Sequence, residues 1–229
     1  MAKKKRMTRK QLLKEPDEFL TFSRRQFRFV MEHTREASIV LGVFFAIIIV
    51  ISGIRYFSDK AEDKASALLG KSMIKYETAM KDSSSEKAYA EVEPDFHKIL
   101  KEYSGKDAAK MARIVYAGIC YDADDPDKAI ELYSEATEDF GDNPSFRNII
   151  LSGLGYAYEK KKDYKTAVTY FEKISKGSDL LLKDEAFFNL GRLYAELGDT
   201  EKSADAFRKI VSDYSDSMYV ELAKEKIAG

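Results

Sequence analysis

Few residues in this chain have the types and spacing that chemistry needs. The 229 residues include two histidines, His33 and His97, and one cysteine, Cys120. A metal site needs three or four ligands at fixed spacing, and neither histidine has such neighbours. Glu93 and His97 stand one helical turn apart, but Pro94 between them is expected to interrupt a regular helix. A lone cysteine closes no internal disulfide, and Cys120, at a helical packing position, reads as a buried thiol before a reactive one. Gly153-Leu154-Gly155 is part of a phosphate-loop fingerprint, yet Tyr158 occupies the third glycine's place and no strand precedes it. Carboxylates are plentiful, but in a chain that is 34% charged they read as solvated helix faces. Catalytic, metal and cofactor sites are therefore not expected, and the chain reads as a non-enzyme. What is left is binding.

The elements that would present a binding surface are repeated helices. Leu154-Gly155-x-x-Tyr158 is followed by Ala167-x-x-x-Phe171, and Leu190-Gly191-x-x-Tyr194 is followed by Phe207, with Ser203 in place of the alanine. This resembles the tetratricopeptide repeat, a helix–turn–helix unit of about 34 residues. Its small residues sit where two helices cross closely, and its large ones fill the space around the crossing. A weaker copy fits Tyr116-Ala117-x-x-Cys120 with Ala129-x-x-x-Tyr133. A degenerate one runs from Ala61 to Tyr103, with Phe96, Ile99 and Tyr103 as packing positions. Asp124-Asp125-Pro126, Lys162-Asp163 and Gly198-Asp199 fall where turns and helix starts belong. The expectation is an all-α solenoid of about four helix pairs, capped by a helix over 217–228.

In such a stack the first helix of each pair lines a groove. The pattern places Ile114, Gly118 and Tyr121 there, then Ser152, Tyr156 and Glu159, then Phe188, Arg192 and Ala195. For Tyr121 and Phe188, packing within the stack is the competing assignment. The mixture is aromatic and polar but sparsely basic, so it suits an extended or partly unfolded polypeptide better than an acidic peptide terminus.

A second element stands apart. From Ala37 to Ile54 the chain carries no charge, and twelve of the eighteen residues are Ile, Val, Leu or Phe. As a helix it spans about 27 Å, close to a hydrocarbon core of roughly 30 Å. Residues 1–36 hold 11 Lys/Arg and 5 Asp/Glu, a net of +6; of the chain's 38 basic and 39 acidic residues, 27 and 34 follow Ile54, a net of −7. Positive charge beside a spanning helix stays cytoplasmic, so the part after the span is expected outside, with Tyr56 and Phe57 at the far interface. The expected segments are a basic N-terminal stretch (1–36), a transmembrane helix (37–57) and a repeat domain (58–229). Within 17–34, aromatic residues interleaved with Arg24, Arg25 and Arg28 read as an interfacial amphipathic helix. The basic start, Lys3 to Lys10, reads as a solvated, topology-fixing tail, with lipid or ribosomal RNA contact as the alternative; no nucleic-acid partner is expected. Ser23-Arg24-Arg25-Gln26-Phe27 looks like a twin-arginine signal, but Glu32 and Glu36 intervene before the apolar run. Ala65-Ser66-Ala67 lies too far from the membrane edge for signal cleavage, so the helix reads as a retained anchor. Ser38, Gly42 and Ala46 recur every fourth residue and form a face on which another membrane helix would pack closely.

With this architecture, Gly53-Ile54-Arg55-Tyr56-Phe57 at the membrane exit and Ala65-Ser66-Ala67 beyond it, the chain resembles the ancillary subunit of the bacterial Sec translocon. Its repeat domain is shared with a soluble periplasmic coordinator of cell division that works with the Tol–Pal machinery. The resemblance implies an inner-membrane, single-pass protein with a periplasmic domain that docks beside the translocon. It would hold exported clients and pass them to periplasmic chaperones. A scaffold recruiting one fixed partner for envelope assembly or division is the alternative. The oligomeric state is open.

Overall fold

A computed structural model describes residues 18–228; the basic start falls outside them. The described residues form ten helices and no strand, as the all-α expectation requires. The chain divides into two units, Met1–Asp59 and Lys60–Gly229.

In the first unit α1 (Glu18–Glu32) is followed after His33 by α2 (Thr34–Asp82), of which residues 60–82 belong to the second unit. Helical hydrogen bonding runs through the junction: His33 donates its backbone N–H to the Phe29 carbonyl at 3.1 Å, and Ala37 donates to His33 at 2.9 Å. No described side chain of residues 22–59 is buried. The uncharged stretch of α2 is therefore apolar on every side without a protein cover, and α2 is long and apolar enough to cross a membrane.

The second unit buries its core between paired helices. The last turns of α2 place Ala65, Ser72 and Ala79 inward at seven-residue intervals, so one stripe of small residues is buried, with Leu68, Leu69 and Tyr76 packed half-buried beside it. Next come α3 (Ser85–Glu102), α4 (Asp107–Asp122), α5 (Pro126–Phe140), α6 (Pro144–Lys160), α7 (Tyr164–Lys176), α8 (Lys183–Glu196), α9 (Thr200–Asp213) and α10 (Val220–Ala228). The pairs are α4–α5, α6–α7 and α8–α9, preceded by α3 and closed by α10. Phe96, Tyr116 and Leu154 lie in one core cluster, Leu151, Phe171 and Leu193 in a second, and Phe207, Ile210 and Ala223 in a third.

The turns inside the pairs follow one rule. Asp125, Asp163 and Asp199 each accept the backbone N–H three residues on, from Lys128, Thr166 and Lys202 at 3.0–3.2 Å, which satisfies a donor left open at a helix start. The residue before each aspartate is left-handed: Asp124, Lys162 and Gly198 have φ of 66°, 62° and 79°. The aspartate N–H then reaches back to Cys120, Tyr158 or Tyr194 at 2.8–2.9 Å, closing the preceding helix in a Schellman motif. At the start of α4, Lys106 has no side-chain acceptor to offer. Glu62 of α2 accepts from the Asp107 and Ala108 amides instead, at 3.0 and 2.8 Å, and so ties the first helix of the unit to the stack.

Two details differ from expectation. Pro94 does not interrupt α3, which runs on through it. Proline removes one N–H and loosens the turn before it, and the Lys75 ammonium donates to the Glu91 carbonyl there. The capping helix begins at Val220, because the Ser217 hydroxyl is engaged with Asp184 (2.6 Å) and accepts the Tyr219 N–H.

Candidate protein-binding groove

The repeat's glycines exist to let rings sit on helices. A Cβ at Gly155 would come within 2.6 Å of Phe171, and one at Gly191 within 2.6 Å of Phe207. These contacts bring the two helices of each pair together and fix how the first helices line up. Gly153, just ahead of the Leu154-Gly155-x-x-Tyr158 run, lies against the ring of Tyr133 from the preceding pair. Close packing thus accounts for both glycines of the phosphate-loop-like run.

A cavity of about 740 Å³ opens along the first helices of successive pairs. Tyr121 at the end of α4, Tyr156, Glu159 and Lys160 of α6, and Arg192 and Ala195 of α8 line it; α10 adds Lys226. Four groove positions expected from the repeat, Tyr121, Tyr156, Glu159 and Arg192, are brought together here, with Ala195. Ile114 is buried in the first core cluster. Ser152 is also buried, with its hydroxyl donating to Glu185 at 3.0 Å. Phe188 stacks on Tyr219 at 4.7 Å and meets Phe207 edge-on, closing the stack against its cap.

Hydrogen bonds hold this surface in one arrangement. The Tyr156 hydroxyl donates to Glu185 (2.9 Å) and accepts from Asn189 (2.8 Å); Arg192 donates to Asn189 (3.2 Å) and to Glu159 (2.6 Å). Satisfied polar networks of this kind restrict rotamers and define a shape. The Lys160 ammonium lies 4.5 Å above the Tyr121 ring, 2.7 Å from the Tyr121 carbonyl and 3.0 Å from Asp124. Burial pushes the Tyr121 and Tyr156 phenols up from their ordinary range, so both stay neutral and serve as apolar faces with a hydrogen-bonding tip. Burial likewise pushes the Cys120 thiol up to about 12, as a packing residue would show.

Lys160, Lys162, Tyr164 and Lys226 are among the lining residues that counting first-helix positions missed. They arrive from a helix end, a turn, the start of a second helix and the cap. The run Lys160-Lys161-Lys162 was visible, but its convergence with Lys226 depends on how the cap folds back. The cavity lining therefore holds Lys160, Lys162, Arg192 and Lys226 against Glu159 and Glu196, a more basic surface than expected. Among the described residues no group of three or more His, Cys, Asp or Glu could hold a metal ion.

Stacked antiparallel helix pairs, aspartate-capped turns and a polar-aromatic groove define a helical-repeat interaction module. Its particular kind follows from sequence comparison: residues 121–180 and 185–217 each match a tetratricopeptide repeat family. These matches cover the whole of the first pair's second helix, the second pair and nearly all of the third, so the stack is a tetratricopeptide-type solenoid. No curated protein matches the chain.

Proposed function

We propose that the solenoid binds extended polypeptide in the groove while α2 anchors it in the bacterial inner membrane, as an ancillary subunit of the Sec translocon. The observation that carries this is the cavity at Tyr121, Tyr156 and Arg192. Its ring faces accept apolar side chains, and its polar tips and cations can meet the carbonyls of an unpaired backbone. The bare apolar stretch of α2 supports the anchor, and the +6 charge of residues 1–36 supports a cytoplasmic N-terminus with the solenoid in the periplasm. The resemblance at Gly53–Phe57 supports the translocon as the neighbour, with exported chains as clients and periplasmic chaperones as recipients. The face of Ser38, Gly42 and Ala46 is where a translocon helix would pack; a Cβ at Gly42 would meet nothing within 4 Å in this chain.

The hydrogen-bonded order of Glu185, Tyr156, Asn189, Arg192 and Glu159 favours a second function, a scaffold with one dedicated ligand, because a fixed polar pattern discriminates between partners. Photo-crosslinking in intact cells separates the two. A reactive residue at exposed Ala195 is expected to yield many exported proteins, and one at Gly42 to yield translocon subunits. One sharp product from Ala195 and none from Gly42 would replace the holdase with the scaffold.

A further inference from the structure

Helix α1 takes no part in the groove, and its described side chains are all exposed, among them Phe22, Phe27, Phe29 and Met31. At about 100° of rotation per residue, Arg24, Arg25 and Arg28 fall within an arc of about 100°, and the described apolar side chains, with Gln26 among them, take the rest of the circumference. Glu32 lies within the arginine arc, so that edge is mainly but not purely cationic, and the adjoining His33 faces Glu36 at 4.0 Å. One residue separates α1 from α2. The apolar surface does not stop there. Phe29, Val30 and His33 join Ser38, Leu41 and Phe44 of α2 around one concave space of about 780 Å³. Whatever medium covers the start of the α2 span therefore also covers the adjoining turn of α1.

We propose that α1 docks on anionic phospholipid in the leaflet on its own side of the span. Its apolar face would lie among the upper acyl carbons while Arg24, Arg25 and Arg28 hold headgroup phosphates. Charge complementarity selects this occupant. Guanidinium groups pair with phosphate through two parallel hydrogen bonds, and the other residues of 1–36, with 8 Lys/Arg and 5 Asp/Glu, add a net +3 that a negative leaflet attracts. An apolar face flanked by arginines suits the headgroup boundary, where both faces find their solvent at once. This goes beyond the groove function and rests on α2 spanning a membrane.

The chain has no tryptophan, so a single introduced one reports its own surroundings. Full-length Phe27→Trp, placed in nanodiscs of phosphatidylcholine with or without phosphatidylglycerol, would be read by quenching from lipids brominated along the acyl chain. Phe45→Trp, within the span, reports insertion independently. The expected result is quenching of Phe27→Trp that strengthens with phosphatidylglycerol, and loss of that dependence when Arg24, Arg25 and Arg28 are all changed to Gln. Each arginine should contribute about fivefold to the surface partition of α1. If Phe45→Trp is not quenched, the span itself fails, and this proposal with it. If Phe45→Trp is quenched while Phe27→Trp emits as in water, only the docking of α1 is overturned. Equal quenching of Phe27→Trp in neutral lipid and in the triple-Gln variant would overturn anionic recognition. Shielding from aqueous iodide without bromolipid quenching would assign the face to a protein partner instead.

Discussion

The first helix pair of the solenoid and the two that follow close their crossings differently. In α6–α7 and α8–α9 a glycine on the first helix, Gly155 or Gly191, takes the ring of Phe171 or Phe207 from the second helix of its own pair. In α4–α5 the matching position is Ala117, and the matching ring, Tyr133, packs across the boundary onto Gly153 of the next pair. It meets its own first helix near Gly118, where an added Cβ would be 3.6 Å from the hydroxyl. The rest of that pair is redistributed to suit. Tyr116 replaces the motif's leucine and stacks on Phe96 of α3 at 5.0 Å, while the motif's tyrosine becomes Cys120, fully buried where Tyr158 and Tyr194 are only half-buried. A close-packed interior constrains total volume more than the identity of any one position. Small residues follow the rings, and the sequence signature fades while the stack persists.

Removing a ring should break this arrangement most severely. Phe171 is wholly buried at the centre of the second core cluster, so Phe171→Ala should cost about 3–5 kcal/mol, with Phe207→Ala close behind. Urea titration of the full chain in detergent, followed by circular dichroism, measures the loss. A cost under about 1 kcal/mol for Phe171→Ala would mean that the ring does not hold the crossing. The glycines give a sharper contrast because their signs should differ. Gly155→Ala and Gly191→Ala drive a Cβ into a ring that has no room to move and should cost about 1–3 kcal/mol. Gly118→Ala makes an ordinary contact and should stabilise α4 by up to about 1 kcal/mol through helix propensity alone. Equal destabilisation at Gly118 and Gly191 would erase the distinction between the pairs.

The same contrast explains what could be read from sequence. Where glycine and phenylalanine keep their motif places, as at Gly155 with Phe171, the crossing was legible, and so were the aspartate turns and the uncharged run of α2. The partner of Gly153 was not, because Tyr133 comes from another pair. Nor was the cap that Glu62 supplies to α4, forty-five residues along the chain. The groove divides in the same way. Tyr121, Tyr156, Glu159 and Arg192 lie near the ends of their first helices, where side chains reach the open cavity. Ile114 and Ser152 sit further back along α4 and α6, where neighbouring helices close over them. Helical spacing gives a face but not its depth, and depth depends on how tightly each pair crosses.

The smallest effect lies in the turns, where the three pairs adopt one backbone with three different residues. Asp124, Lys162 and Gly198 all have positive φ, a conformation that costs an L side chain about 1–2 kcal/mol. Only the third pair uses glycine. Lys162→Gly relieves that strain but gives up part of it to the greater freedom of glycine in the unfolded chain, leaving a gain of about 0.5–1 kcal/mol. Asp124→Gly should gain less. Its carboxylate pairs with Lys160 at 3.0 Å, and an exposed pair of this kind is worth up to about 1 kcal/mol, enough to cancel most of the relief. Gly198→Lys should lose about what Lys162→Gly gains. If instead all three substitutions leave the urea midpoint unchanged, the left-handed residue is not what sets the turn. The Schellman hydrogen bonds and the aspartate cap would then suffice, and the pairs would differ only at their crossings.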